Sequence, residues 1–262
     1  MEIKEKVINE NIRVHKEEST IYDSFHIEIY NWYEKQQTNK DIFFLKDQLS
    51  SYKEVNFLDV GCGTGNISLN FLDDDRYNIV GVDLSPDMIK QFAKKIPQEK
   101  VNRFNLVNAE IEEFLDKNRN KYDLITISSV LYHLHEPFCV FDKILSIIDS
   151  GGIIYLTHEP LIDEQKNNNI FSSIILLTDK VLSNFYWLYK FKRIPKFDYS
   201  VSDYHDGLDL ERIKQRLSSD FDILYCQKYN VNRIGFLSFL SNIIGISCNF
   251  KIIAKKRAFK KK

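Results

Sequence analysis

Apolar and polar positions along the chain change period several times, and each change marks an element. From Met1 to about Ser51 the spacing is helical, with Ile21, Phe25, Ile29, Trp32 and Tyr33 forming one apolar stripe and Phe44, Leu45 and Leu49 another. Short, nearly continuous apolar runs then predict buried parallel strands at Val55 to Val60, Tyr77 to Val82, Phe104 to Val107, Tyr122 to Ser128 and Ile153 to Thr157. Helical stretches separate them. Ser85-Pro86-Asp87 predicts a helix start, with serine as N-cap, proline at the first helical position and an acid in the first turn. Strands alternating with helices imply a doubly wound α/β domain.

Beyond Pro160 the alternation breaks. The stretch to Asp206 is rich in aromatics, among them Phe171, Phe185, Tyr186, Trp187 and Tyr189. A structureless loop of that length would be unusual, so one or two inserted helices are expected. Asp209 to Ser218 reads as a capped helix, Phe221 to Tyr229 as a strand, Ile234 to Ile246 as an apolar helix too short to span a membrane, and Phe250 to Ala254 as a closing antiparallel strand.

Composition narrows the function classes. In 262 residues, 36 Lys and Arg balance 37 Asp and Glu for a net charge of -1, so no overall basic field recruits nucleic acid. The run Lys251, Lys255, Lys256, Arg257, Lys260, Lys261 and Lys262 is expected to be a solvated tail. Cys62, Cys139, Cys226 and Cys248 form no C-x-x-C pair, which suits free thiols in a reducing compartment, and no metal site is readable. The charged stretch from Met1 to Glu18 has no signal-peptide core, and a soluble cytoplasmic protein is expected.

The chemistry centres on Asp59-Val60-Gly61-Cys62-Gly63-Thr64-Gly65, a strand end followed by three alternate glycines. Glycine leaves bare backbone, and a helix starting near Gly65 would present its N–H groups to an anionic or carboxylated ligand. A dinucleotide turn wants a glycine where Asn66 stands, which disfavours a nicotinamide dehydrogenase. Asp83 ends the next strand about 20 residues on, where a carboxylate can accept both hydroxyls of a ribose.

With the strand before it, this turn resembles the first motif of the class I S-adenosylmethionine-dependent methyltransferases. The block Ser129-Val130-Leu131-Tyr132-His133-Leu134-His135-Glu136-Pro137, its following helix and Ser150-Gly151-Gly152 are similar to the same family's later pattern, with Tyr132 in a histidine place and Ser150 in a proline place. The resemblance covers about residues 55 to 160. It implies a Rossmann-like seven-stranded sheet, mostly parallel with an antiparallel last strand, preceded by a helical lid region over residues 1–51. Residues 52–262 would be the methyltransferase domain, carrying the helical insertion at about 161–206. It also implies S-adenosylmethionine as cofactor and S-adenosylhomocysteine as product.

Carried over by position, the resemblance places Asp59, Gly61, Cys62, Gly63, Asp83, Leu84, Met88, Asn108, Ala109, Glu110, Ser128 and Tyr22 around that cofactor. Asn108 stands for the commoner aspartate and keeps an acceptor oxygen. Two readings stand for Met88 and for Tyr22: contact with the cofactor, or plain packing. His133 is the first candidate for a general base toward an acceptor hydroxyl, since histidine takes a proton near neutral pH, and a structural role is its alternative. Glu159 is expected to point at the substrate region, and His135, His158 and His205 are weaker candidates.

The chain has no Pro-Pro-aromatic tetrad after the fourth strand and no Pro-Cys pair, so base methylation is disfavoured and a small, apolar or lipid-like acceptor is expected. The aromatic insertion reads as a lid and substrate wall, a homodimer interface or a peripheral membrane contact. The alternative to an enzyme is a catalytically silent cofactor-binding module docked on a membrane or a protein partner.

Overall fold

The computed structural model describes residues 3–194 and 205–258. The strands are β1 (Val55–Val60), β2 (Tyr77–Asp83), β3 (Phe104–Asn108), β4 (Tyr122–Ser128), β5 (Ile148–Pro160), β6 (Phe221–Tyr229) and β7 (Asn249–Lys256). They form one seven-stranded sheet in the order β3-β2-β1-β4-β5-β7-β6. Neighbours pair in parallel except at β7, which is antiparallel to both β5 and β6. The expected doubly wound sheet with an antiparallel last strand is therefore present. The last strand in sequence inserts between β5 and β6, leaving β6 at the edge.

Strand order reverses between β1 and β4, the switch point outside whose carboxyl ends ligands bind in such sheets. Helices cover both faces. On one lie α6 (Ile111–Lys117), α7 (Pro137–Ser146) and α9 (Leu210–Leu217), burying Leu115, Phe141, Ile144 and Ile213 against Leu58, Ile125 and Ile252. On the other, α4 (Trp32–Gln48) buries Ile42 and Leu45 with Phe57, Phe71 and Tyr155. The remaining helices are α1 (Ile3–Glu18), α2 (Tyr22–Phe25), α3 (Ile27–Tyr30), α5 (Pro86–Lys95), α8 (Ser172–Phe191) and α10 (Gly235–Ile243).

Local chemistry explains the helix starts. Ser85 Oγ accepts from Met88 N at 3.3 Å with Pro86 at the first helical position, as the sequence predicts. Asn31 Oδ1 accepts from Tyr33 N and Glu34 N at 2.9 and 3.0 Å and starts α4.

Four expectations need correction. The stripe from Ile21 to Tyr33 is not one helix face: His26 and Asn31 leave helical geometry, so the segment breaks into α2, α3 and the start of α4, with only Phe25 of the stripe buried. The glycine turn leads into a single 3-10 turn, Ser68–Phe71, rather than a helix beginning near Gly65. Gly151, at φ 79°, lies within β5 as an irregularity, because Ile148 already pairs with Tyr122.

The basic run is not simply a tail. Lys251 is buried on β7 and paired with Asp41, and Lys256 Nζ donates to the carbonyls of Leu145 and Ile148, while Lys260, Lys261 and Lys262 lie outside the described residues. Of the expected insertion, α8 is one twenty-residue helix, and residues 195–204 lie outside the described ones. Among the described residues no helix is long and apolar enough to cross a membrane.

Candidate active site

At the carboxyl ends of β1, β2 and β4 the sheet opens into a cleft. Gly61, Gly63, Asp83, Leu84, Met88, Ala109, Glu110, Ser128 and Tyr22 all line it. Of the sequence-predicted site residues, these and His133 are the ones brought together. Helix α1 closes the cleft from above through Val7, Ile8, Asn11 and His15.

The glycine turn earns its composition at two positions. Gly61 has φ 63° and presses on Val130, whose Cγ2 would stand 2.3 Å from an added Cβ. Gly63 has φ 51°, and no atom lies within 4 Å of where its Cβ would be. Bare backbone there faces open cleft. The amides are less available than the sequence suggests, since Cys62 N donates to Val82 O, Gly65 N to Cys62 O and Gly63 N to the Asp83 carboxylate. The turn offers close approach rather than a set of free N–H donors.

Asp83 Oδ2 accepts from Gly63 N and Oδ1 from Ser85 N, both at 2.8 Å. A carboxylate has about four acceptor sites, so each oxygen retains capacity for a hydroxyl. Burial pushes the Asp83 carboxyl above its ordinary value, with the charge of His15 opposing. A ribose fits this arrangement, and the apolar wall of Leu84, Met88, Ala109 and Ile111 suits a flat heterocycle.

Four predicted residues do not line the cleft. Asp59 is buried, accepting from Ser68 Oγ at 2.5 Å and Thr126 Oγ1 at 2.6 Å, so it ties the turn to β1 and β4. Burial pushes its carboxyl up to about 6 against those two bonds. Cys62 packs its sulfur over Gly81 of β2. Asn108 turns its amide to the carbonyls of Asp83 and Leu84, at 3.0 and 2.8 Å, and bridges two strand tips.

Glu159 needs the largest correction. It is fully buried, and its Oε1 accepts from Val130 N and Leu131 N at 2.8 and 3.1 Å. Its side chain faces the turn after β4, not a cavity, because the register of β5 beside β4 sets it under that backbone. Glu159 holds the segment that carries His133.

A second cavity adjoins the first. His15, Tyr22, Ser129 and His133 line both. Its other walls include Phe25, His26, Ile29, Tyr132, His158, Pro160, His205, Val231 and Arg233. His135 lines only the first cavity. The rings of Tyr132 and His133 lie 3.9 Å apart, and His15 meets His133 edge-on at 6.3 Å.

Two non-glycine residues at this junction stand in the left-handed region, Ser129 at φ 55° and His158 at φ 57°. Ser129 Oγ donates to His158 O at 3.1 Å, so the strained tips of β4 and β5 support each other. Sequence reasoning missed His15, Asn11 and Arg233. The first two sit four apart on α1, a spacing that puts both on one face and could have flagged them.

Comparison with known proteins decides the family. The family model described as "Methyltransferase domain" matches residues 51–193. The chain belongs to this family. The methyltransferase is 30% identical over 131 residues to a mitochondrial ubiquinone biosynthesis O-methyltransferase of Candida albicans, covering 47% of this chain and 38% of the relative. It is 31% identical over 129 residues to a tRNA U34 carboxymethyltransferase of Hahella chejuensis, covering 48% and 38%. The chain thus spans less than half the length of these curated relatives. Among solved structures, magnesium protoporphyrin IX methyltransferase from Synechocystis, with bound SAH, shares the fold at TM-score 0.57 and 17% identity, covering 95% of this chain and 99% of that one. Among the described residues no cluster of His, Cys, Asp or Glu could hold a metal ion.

Proposed function

We propose that this methyltransferase moves the methyl group of S-adenosylmethionine to a hydroxyl of a small, apolar or lipid-like acceptor. The carrying observation is the junction: His15, Tyr22, Ser129 and His133 line both the cleft at the glycine turn and the cavity beside it. A donor in one and an acceptor in the other would meet there. Gly61 and Gly63 give close approach, Asp83 holds the ribose, and Leu84, Met88 and Ala109 flank the adenine, with Glu110 and Ser128 at the rim.

S-adenosylmethionine supplies a methyl group already activated by its sulfonium charge. The protein's part is to align the acceptor, exclude water and take the hydroxyl proton. His133 is the proton acceptor in this reading. As the oxygen–methyl bond formed and the sulfur–methyl bond broke, the hydroxyl proton would pass to a ring nitrogen of His133, leaving S-adenosylhomocysteine as the other product. Glu159 is a positioning residue, and residues 3–51 act as a lid.

Titration of the purified protein with S-adenosylmethionine and, separately, NADH tests the cofactor. Binding of the first alone is expected, with Asp83→Ala weakening it at least about tenfold, the loss of one charge-assisted bond or more. Screening hydroxyl compounds with labelled S-adenosylmethionine then tests the acceptor. His133→Ala is expected to lower kcat about 10²–10⁴-fold while leaving cofactor affinity intact. NADH binding alone would reject the reading. Cofactor binding without transfer to any hydroxyl, amine or thiol would favour the silent module.

A further inference from the structure

Helix α8 carries its apolar face outward. The residues it turns inward, Ile175, Asp179, Ser183 and Trp187, are spaced by four and buried, and two of them are polar. Asp179 Oδ1 accepts from Ile234 N at 2.9 Å, so the inward stripe is fixed to the start of α10. On the opposite side Ile174, Leu177, Val181, Phe185 and Leu188 recur at three- and four-residue spacing with exposures of 61, 65, 45, 67 and 50%. At 100° per residue they share one face. Helix α10 packs on α8 through Leu237 and Ile175 and leaves Phe236 and Ile243 exposed at 58 and 64%. A helix on a water-facing surface normally shows the reverse arrangement.

Charge selects what covers this face. Asp179 is the only acid between residues 172 and 194, and it is buried. Lys180 borders the apolar stripe, and Lys190, Lys192 and Arg193 gather at its C-terminal end. Lys190 lies over the rings of Tyr186 and Phe191, and Lys192 over Tyr189. A second copy seated on this face would bring no exposed carboxylate of α8 to pair with these cations. Anionic headgroups would pair with them, while the apolar stripe enters the acyl boundary.

We propose that α8 and α10 form a docking surface for an anionic lipid bilayer, with α8 lying in the membrane plane. The inward Trp187 stacks on Phe25 at 4.9 Å and carries Arg233 over its ring at 4.9 Å. Both of those residues line the second cavity. The docked surface therefore borders the cavity proposed for the acceptor. The docking itself does not depend on methyl transfer, so its test is made without substrate.

The experiment is co-sedimentation of the full chain with vesicles of phosphatidylcholine alone and of phosphatidylcholine doped with phosphatidylglycerol, beside sedimentation velocity of the protein alone. The wild type is expected to pellet with the doped vesicles, and added salt is expected to weaken this. Leu177→Glu with Phe185→Glu, and separately Lys190→Glu with Lys192→Glu and Arg193→Glu, should each reduce binding at least about tenfold. Those positions are exposed, and unchanged circular dichroism would exclude misfolding. No pelleting of the wild type, or pelleting that both variants retain, overturns the proposal. A dimer that Leu177→Glu with Phe185→Glu dissociates, without vesicle binding, assigns the face to a second copy instead.

Discussion

Asp23 of α2 and Thr64 of the glycine turn are joined by a 2.6 Å hydrogen bond, with the threonine hydroxyl donating. Lys95 of α5 closes the group by donating to Asp23 and, at 3.0 Å, to Thr64 O, while Tyr30 OH lies 3.1 Å from Thr64 Oγ1. The N-terminal helices are thus latched directly to the cofactor turn. Hydrogen bonding from Lys95 and Thr64 overcomes burial and lowers the Asp23 carboxyl below its ordinary range. The latch is built around an ionised carboxylate.

Thr64→Val removes the hydroxyl while keeping the shape. The loss of a hydrogen bond to a charged group corresponds to about 1.5–3 kcal/mol, so S-adenosylmethionine affinity is expected to fall about 10- to 100-fold through faster release. Stopped-flow release rates and hydrogen exchange in α1 would check it. Unchanged release together with unchanged protection of α1 would show that the latch does not govern cofactor release.

Glu159 gives a charge-versus-geometry test. Glu159→Gln keeps an acceptor for Val130 N and Leu131 N, so turnover is expected within a few-fold of wild type. Glu159→Ala leaves both amides without that acceptor at a fully buried site, costing about 2–4 kcal/mol of stability. It should also displace His133, lowering kcat more than it raises KM. Equal kinetics for Gln and Ala would remove Glu159 from the positioning of His133.

Much of the fold was legible because it rests on local signals. The Ser85-Pro86 cap and the apolar runs are short-range patterns, and each strand contains its predicted run, though β5 starts five residues early at Ile148. The insertion of β7 between β5 and β6 was not legible, since pairing over such sequence distances leaves no local mark. The cleft was legible at Gly61, Gly63 and Asp83 for the same local reason, strand ends and bare backbone. Asp59, Asn108 and Glu159 were misplaced because their types suit a ligand equally well as the neighbouring hydroxyls, carbonyls and amides that engage them. Lys251 was misread from its charged neighbours, while β7 is an interior strand covered on both faces and Lys251 stands on the face that α4 covers.

Lys251 and Asp41 form an ion pair at 2.7 Å with both residues buried, and Tyr155 OH donates to the same carboxylate at 2.8 Å. This ties α4 to β7. Lys251→Met leaves Asp41 buried without its cation and is expected to destabilise the fold by about 3–5 kcal/mol. Adding Asp41→Asn removes the stranded charge yet keeps an acceptor for Tyr155, and should recover most of the loss. Urea denaturation of the two variants measures this; a double variant no more stable than the single one would contradict it.

The pH dependence of stability should carry the signature of His26. Burial works against its protonation, but Glu18 and Glu28, at 3.0 and 2.7 Å, more than offset this and raise it to about 9. The unfolded imidazole titrates near its ordinary value, about 6.5. A histidine raised on folding contributes stability that is fully present below about 6.5 and is lost as pH climbs through about 9. The shift corresponds to roughly 3–4 kcal/mol, since the side chain is largely buried and each unit is about 1.4 kcal/mol. Glu28, lowered below its ordinary carboxyl value despite burial, shares the same pair and titrates well outside this window. Urea unfolding at successive pH values from 6 to 10 should therefore show a decline that His26→Gln abolishes. A slope that survives in His26→Gln would place the titrating group elsewhere. Because His26 and Glu28 line the second cavity, loss of the folded-state proton near pH 9 would loosen that wall, so KM for a ligand bound there should rise around pH 9 while cofactor affinity holds.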